Sequence, residues 1–94
     1  MSSENNMKYI MFKQEREELV ELIPVIFPNK LVHKDVADAL MQTPPFKDCS
    51  VQSAGSISLL NLEANGHSET LNVASNPRTD SFIIKMNDYG AGYQ

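Results

Sequence analysis

The dipeptide Asn65-Gly66 constrains the fold of this chain more than any other local feature. Asn-Gly favours the positive φ angles of a type I′ turn, which joins two adjacent antiparallel strands. The residues before it predict a long strand over 50–62, and those after it predict a partner strand over about 67–74. Within the first of these strands, Ala54-Gly55 suggests a β-bulge where the strand bends. The second half of the chain is therefore predicted to contain a hairpin.

The first half is predicted to contain a hairpin as well. Residues 8–13 are rich in aromatic and β-branched side chains and predict a strand. Farther along, four apolar residues match the helical i, i+3, i+4, i+7 spacing: Leu19, Leu22, Ile23 and Ile26. Pro24 opposes a helix because it lacks an N–H. We favour an acidic turn near 14–18 and a strand over about 20–27, with Pro24 at an edge or bulge. The helical alternative for residues 14–23 stays open at this point.

A helix is predicted over about residues 34–42. His33 is a candidate N-cap, and Asp35 suits the first turn of a helix. The apolar stripe of this helix is Val36, Ala37, Leu40 and Met41. The sequence Thr43-Pro44-Pro45 ends it, because a residue before proline is pushed out of the helical region.

A second helix is predicted to start after Ser75. Ser75 or Asn76 caps it, Pro77 takes the first helical position, and Asp80 complements the helix dipole. We assign its apolar face to Phe82, Ile83 and Met86. The element order is then ββαββα.

These elements predict an α+β fold, with a small four-stranded, mainly antiparallel sheet and two helices on one face. The chain has 94 residues, of which 41% are hydrophobic and 21% charged, and this suits one small globular domain. We expect a flexible leader over residues 1–7, a single domain over 8–87 and a flexible tail over 88–94. No apolar stretch typical of a signal peptide or a membrane span is present in the sequence.

The charge balance bears on the class of partner. The net charge is −4, and four acids cluster within seven residues: Glu15, Glu17, Glu18 and Glu21. An acidic chain without a run of lysine or arginine repels phosphate backbones, so nucleic-acid binding is disfavoured. A basic protein is the better partner, including a protein that itself binds nucleic acid. The single cysteine, Cys49, argues against a disulfide-stabilised secreted domain and for the cytoplasm.

Several segments resemble a group of small uncharacterised proteins encoded by bacteriophages, prophages and related mobile elements. They are Lys8-Tyr9-Ile10-Met11-Phe12, Pro24-Val25-Ile26-Phe27-Pro28, His33-Lys34-Asp35-Val36-Ala37-Asp38-Ala39-Leu40, Val51-Gln52-Ser53-Ala54-Gly55, and Glu69-Thr70-Leu71 leading to Ser75-Asn76-Pro77-Arg78-Thr79-Asp80. The chain departs from the group at Ser56, where an aromatic is common, and at Arg78, which follows the proline instead of preceding it. The resemblance implies a bacterial host as genetic context and implies no chemistry.

Catalytic and metal-binding chemistry has few candidates. His33, His67 and Cys49 lie on different predicted elements and lack the short spacings of metal sites or redox motifs. We interpret them as a helix cap, a strand residue and a core thiol. The acidic groups Asp35/Asp38 and Glu15/Glu17/Glu18 are typical of solvated faces, and the glycines form no phosphate-binding pattern. We therefore predict no enzyme, no metal and no cofactor.

The leading hypothesis is a non-enzymatic interaction protein that binds a host or phage protein, one form being an inhibitor of a host defence complex. The candidate partner-binding residues are Arg78, Tyr89 and Tyr93, since exposed aromatic and arginine side chains are enriched at interfaces. One alternative is a self-associating module that dimerises through a sheet edge. The other is a small enzyme or metal-binding protein that uses Cys49, His33 and His67.

Overall fold

A computed structural model describes residues 6–86 of the chain. Two long strands, β1 (Asn6–Arg16) and β2 (Leu19–Phe27), form an antiparallel hairpin around the two-residue turn Glu17-Glu18. The hairpin interpretation of this segment is thus confirmed over the helical one. β1 begins at Asn6, so Asn6 and Met7 belong to the sheet and not to a leader. The expected tail at 88–94 and residues 1–5 lie outside the described part of the chain.

The main sheet has four antiparallel strands in the order β2-β1-β3-β4, where β3 is Cys49–Ser58 and β4 is Ala64–Asn65. β2 is therefore an edge strand, as Pro24 indicated. Proline is tolerated there because an edge strand forms ladder hydrogen bonds along only one of its sides. The α+β class and the four-stranded antiparallel sheet are confirmed.

The central strand β1 is buried on both faces. Tyr9, Ile10, Met11 and Phe12 are all fully buried, and successive side chains of a strand point to opposite faces. Ile10 and Phe12 pack in one cluster with Ala37 of helix α1 (His33–Leu40). Tyr9 and Met11 pack in a second cluster with Ile84 of helix α2 (Pro77–Met86).

The two helices consequently cover opposite faces of the sheet, and the prediction that both lie on one face is wrong. The physical reason lies in β1 itself. Four consecutive apolar residues in a strand place two large side chains on each face, and each pair needs its own cover from water.

α1 matches its predicted position, with one correction. Ala37 is buried, and Val36, Leu40 and Met41 pack against the same cluster, so the predicted apolar stripe is confirmed. The N-cap is Val32, which forms no side-chain capping bond, and His33 is the first helical residue. His33 is buried in the core instead of capping the helix. A short 3₁₀ helix, Pro44–Phe46, follows α1.

The predicted hairpin turn at Asn65-Gly66 is wrong. β3 turns back earlier, through residues 59–63, and β4 pairs with its end, Ala64 opposite Ile57. Two side-chain bonds hold this turn: Leu60 N donates to Ser58 Oγ at 3.3 Å, and Glu63 N donates to Asn61 Oδ1 at 3.2 Å. Serine and asparagine form such local bonds readily, and here they displace the Asn-Gly turn.

Gly66 still adopts a positive φ of 81°, but it bends the chain between two different sheets. β5 (His67–Ser68) and β6 (Val73–Ala74) pair with each other in a separate two-stranded sheet. The predicted strand over 67–74 is therefore a small hairpin. The order is β1-β2-α1-β3-β4-β5-β6-α2 and not ββαββα.

The irregularity in β3 also differs from its predicted position. The register between β1 and β3 shifts between Met11–Ser53 and Phe12–Val51, so Gln52 is the extra residue. Gly55, where the bulge was expected, has another role. A Cβ at Gly55 would lie 2.4 Å from Asn65 O and 3.1 Å from Ser75 Cβ. Glycine at this position lets β4 and the segment before α2 approach β3 closely.

α2 begins where the sequence indicated, at Pro77 after Asn76, but its buried face is different. Ile84 is fully buried and Ile83 partly buried, whereas Phe82 is 62% and Met86 65% exposed. The assignment of Phe82 and Met86 to the apolar core face is thus wrong. The reason is Asp80, which is fully buried one turn before Ile84 and directs that side of the helix toward the sheet.

Candidate functional site

The three residues considered for chemistry do not form one site. Cys49 starts β3, and its Sγ lies 3.9 Å from Pro45 O. His33 Nε2 lies 2.9 Å from Gly55 O, six residues farther along the same strand. At about 3.4 Å per strand residue, Cys49 is about 20 Å from the His33 contact. The arrangement does not support a cysteine–histidine pair.

Cys49 and His33 are both held in their neutral forms. Burial raises the pKa of the Cys49 thiol, with a smaller contribution from the Asp48 carboxylate. Burial lowers the pKa of His33, the hydrogen bond to Gly55 O partly opposes that effect, and the Lys8 ammonium adds to the lowering. Neutral His33 donates from Nε2 to Gly55 O, and its ring meets Phe27 edge-on at a centroid distance of 5.5 Å. His33 therefore links α1 to β3.

One cleft of about 260 Å³ does bring the two histidines together. Most of its polar side chains already have partners in the fold. Lys8 Nζ donates to Leu31 O at 2.8 Å, and Lys34 N donates to Thr70 Oγ1 at 3.2 Å. His67 Nε2 lies 3.8 Å from Glu69 Oε2 at the surface. Within residues 6–86, no group of three or more histidine, cysteine or acidic side chains is placed to hold a metal ion.

Sequence reasoning missed a buried carboxylate that accepts three hydrogen bonds within residues 6–86. Asp80 Oδ2 accepts hydrogen bonds from the Tyr9 hydroxyl, from Ser53 Oγ at 2.7 Å and from Asn76 N at 3.0 Å. Asp80 Oδ1 has no hydrogen-bond partner among the described residues. Burial raises the pKa of Tyr9, and the hydrogen bond to Asp80 raises it further.

These contacts connect three elements, because Tyr9 lies in β1, Ser53 in β3 and Asp80 in the first part of α2. Tyr9 and Asp80 are each fully buried, so the cluster has no direct access to solvent. These contacts hold α2 against the sheet. The signal in the sequence was Tyr9 within an apolar run, because a buried tyrosine hydroxyl requires a polar partner.

The most exposed part of the sheet is the end of the β1–β2 hairpin, which we call the hairpin tip (residues 15–21). The last pair between β1 and β3 is Gln14–Cys49, so the tip is paired only to itself. Leu19 is 65% and Val20 54% exposed there. The acidic side chains of the tip are also exposed: Glu15, Glu17, Glu18 and Glu21. Of these four, only Glu15 forms a salt bridge within residues 6–86, with Lys13 Nζ at 3.3 Å.

Of the three predicted partner-binding residues, the structure describes Arg78 alone. It is exposed near the start of α2. Tyr89 and Tyr93 lie outside the described residues. Residues 78, 82 and 86 follow the i, i+4, i+8 spacing that places side chains on one face of a helix. Arg78 thus shares the outer face of α2 with the exposed side chains of Phe82 and Met86.

In comparisons with known proteins, the chain matches no protein-family model, no curated protein sequence and no solved structure. Among the helices of residues 6–86, none has the length and apolar character required to cross a membrane.

Proposed function

We propose that this chain is a non-enzymatic interaction protein whose hairpin tip binds a basic surface on a host or phage protein. The observation that carries the proposal is the exposure of Leu19 and Val20 among the carboxylates of the tip. When a partner covers two aliphatic side chains that are more than half exposed, the burial of their apolar surface stabilises the complex. The four carboxylates and one guanidinium of residues 15–21 leave a net charge of −3, which favours a basic partner.

The tip is built to present these groups. Its two strands are joined by a turn of only two residues, and each strand continues into the body of the sheet. The tip is therefore largely preorganised before a partner binds, which lowers the entropic cost of binding. The carboxylates accelerate encounter with a positive surface, and the aliphatic pair slows dissociation.

A host defence complex is a concrete partner class for this proposal. A row of carboxylates imitates the charge of a nucleic-acid backbone, so the tip suits a surface that normally binds nucleic acid. The resemblance to proteins of phages and mobile elements supports this class. The chain would then act in the bacterial cytoplasm as an inhibitor by occupancy and would catalyse no reaction.

Affinity capture with matched variants tests the proposal. The tip variant is Glu17→Lys/Glu18→Lys, and the control variant, Asp48→Lys/Glu69→Lys, makes the same change in net charge at exposed positions elsewhere. We expect a basic protein to be recovered with wild type and the control but not with the tip variant. With that protein purified, the dissociation constant should rise at least about tenfold for the tip variant.

Loss of binding in both variants would point to net charge alone. Equal binding by all three would rule out the tip. Leu19→Ser/Val20→Ser leaves the charge unchanged and tests the apolar pair separately. Reproducible recovery of no partner from bacterial lysate would count against the interaction role itself.

Self-association through the β2 edge is a second candidate, favoured by one observation: β2 is a nine-residue strand at the edge of the sheet. An unprotected edge pairs readily with another strand. Pro24 lies within it and offers no N–H, which limits continuous pairing to part of the strand. If β2 edges pair, light scattering should show a dimer for wild type and a monomer for Val20→Pro. A wild type that is monomeric at all concentrations would eliminate this candidate.

A further inference from the structure

The outer face of α2 carries an apolar and basic surface that is exposed in the described part of the chain, residues 6–86. Phe82 and Met86 are one turn apart and more than 60% exposed. Arg78 lies one turn before Phe82, and Lys85 is exposed beside Met86. We call Arg78, Phe82, Lys85 and Met86 the α2 outer face. Ile84 and Asp80 face the sheet, so this surface is separate from the core contacts of the helix.

The two cations of this face have no salt bridge within residues 6–86. Arg78 and Lys85 line a shallow cleft of about 250 Å³ together with Glu63. Glu63 is the carboxylate next to them, yet it forms no ion pair with either in the described part of the chain. A partner that offers several carboxylates around an apolar centre would complement both cations and both apolar side chains.

The hairpin tip of this same chain has that composition. Its exposed aliphatic side chains, Leu19 and Val20, are consecutive in β2 and point to opposite faces of the hairpin. The carboxylates of Glu17, Glu18 and Glu21 are exposed close to them. The dimensions also agree. From Arg78 to Met86 the helix rises about 12 Å, and two strand residues beyond a tight turn extend about 7 Å, with neighbouring strands about 5 Å apart. One face of a tip can thus cover Phe82 and Met86 with a single aliphatic side chain, Leu19 or Val20, while its acids lie near the cations.

We propose that the α2 outer face binds the hairpin tip of a second copy of this chain. The inference rests on the proposed role of the tip as a binding element, and it names one partner for that element. If two copies exchange tips reciprocally, the contact closes as a symmetric dimer. If they do not, the same contact repeats head to tail into longer assemblies.

Sedimentation velocity on the full chain tests this at protein concentrations up to about 1 mM, the range of weak association. Wild type should self-associate more weakly as ionic strength rises, because exposed charges are screened. Arg78→Glu/Lys85→Glu and Glu17→Lys/Glu18→Lys should each raise the dissociation constant at least about tenfold. The control Lys30→Glu/Lys47→Glu, which has the same net charge as the first variant, should stay close to wild type.

Mixing the two interface variants gives the sharpest result. Each retains one native surface, and the reversed surfaces complement each other, so an equimolar mixture should associate where neither variant does alone. A mixture that stays monomeric would overturn the proposal, as would a wild-type chain that stays monomeric throughout.

A photo-reactive phenylalanine analogue at position 82 identifies what covers the outer face. The proposal requires an intermolecular cross-link to residues 15–21. A link within one chain to residues 87–94 would overturn it, since the occupant would then be the chain's own terminus. A link between copies to β2 residues 22–27 would overturn it in favour of edge pairing.

The outcome is separable from that of the proposed function. If capture of a host or phage protein depends on the tip but wild type is monomeric, only the second-copy inference fails. If the chain self-associates through tip and helix but recovers no other protein, the second-copy inference stands and the host-partner role fails.

Discussion

The Tyr9 hydroxyl donates a hydrogen bond to Asp80 Oδ2, which joins the central strand to the helix at the far end of the sequence. The two residues are 71 positions apart, and both are fully buried. A carboxylate in that position is stabilised only by the donors around it, because transfer of an unpaired polar group from water is costly. The position of α2 on the sheet therefore depends on side chains of β1 and β3.

Removing either partner should destabilise the chain, and the two effects should not add. We expect Tyr9→Phe to cost about 1–3 kcal/mol and Asp80→Ala about 2–4 kcal/mol, since the latter strands two buried hydroxyls and leaves a cavity. Urea unfolding of both single variants and the double variant measures a coupling energy, expected near 1 kcal/mol or more. Thr79→Ala, on an exposed residue of the same helix, is the control. A coupling near zero would mean that the bond contributes nothing.

The raised pKa of Tyr9 predicts a loss of stability at alkaline pH. Burial and Asp80 favour the protonated phenol in the folded chain, whereas the unfolded chain loses that proton near pH 10. Above that pH the folded state binds more protons than the unfolded state, so stability falls as pH rises, by up to about 1.4 kcal/mol per pH unit.

Tyr9→Phe isolates this contribution, because every other titrating group is the same in both chains. The gap in unfolding free energy between wild type and variant should narrow steadily from about pH 9.5 upward. An unchanged gap through pH 11 would contradict the assignment.

The lowered pKa of His33 predicts a loss of stability at acid pH. Its pKa is lowered by burial, so the unfolded chain takes up a proton below about pH 6.5 while the folded chain resists it. Stability contributed by neutral His33 is therefore present above pH 6.5 and is lost as pH falls toward the lower folded pKa. His33→Gln keeps a donor for Gly55 O and should remove this part of the pH dependence, measured by urea unfolding between pH 7 and pH 5.

The control for that experiment is His67→Gln. His67 is exposed, and its contact with Glu69 spans 3.8 Å. The prediction fails if His67→Gln, and not His33→Gln, removes the dependence.

Gly55→Ala should be among the most damaging small substitutions in the chain. The added methyl group would lie 2.4 Å from Asn65 O, a backbone atom, so β4 must move away from β3. We expect a loss of about 2–3 kcal/mol or more. Gly66→Ala is the comparison, because its Cβ would meet only Ser56 N at 4.0 Å, an ordinary van der Waals contact, and only its φ of 81° is unfavourable. There the cost should be about 1–2 kcal/mol. Equal effects in thermal or urea unfolding would refute the close-approach explanation.

The elements that the sequence predicted correctly are those governed by nearby residues. The β1–β2 hairpin was favoured by Pro24, which opposes a helix, and by the acidic residues at the turn. The C-terminal end of α1 and the start of α2 followed from Pro44 and Pro77, whose rings restrict their own φ angle and the conformation of the preceding residue. These constraints act over one or two residues, so they hold whatever the rest of the chain does.

Tertiary structure decided the features that depend on what packs where. Asn65-Gly66 has the composition of a hairpin turn, but Asn65 packs against Gly55 of β3, and the chain turns earlier, at residues 59–63. The helices lie on opposite faces because β1 buries both of its sides. Asp80 reads in the sequence as a dipole-stabilising surface acid, and only the donors supplied by Tyr9 and Ser53 make its burial favourable.

The two candidate surfaces, the hairpin tip and the α2 outer face, also differ in whether the sequence or the packing determined them. The acidic character of the hairpin tip was visible in the sequence, since charge does not depend on folding. The exposure of Phe82 and Met86 was not, because helical spacing alone allowed them to face the core. Once Asp80 and Ile84 took the side toward the sheet, the geometry of a helix turned Phe82 and Met86 outward. Local chemistry determined most of the elements, and long-range packing determined which of their faces are buried and which are exposed.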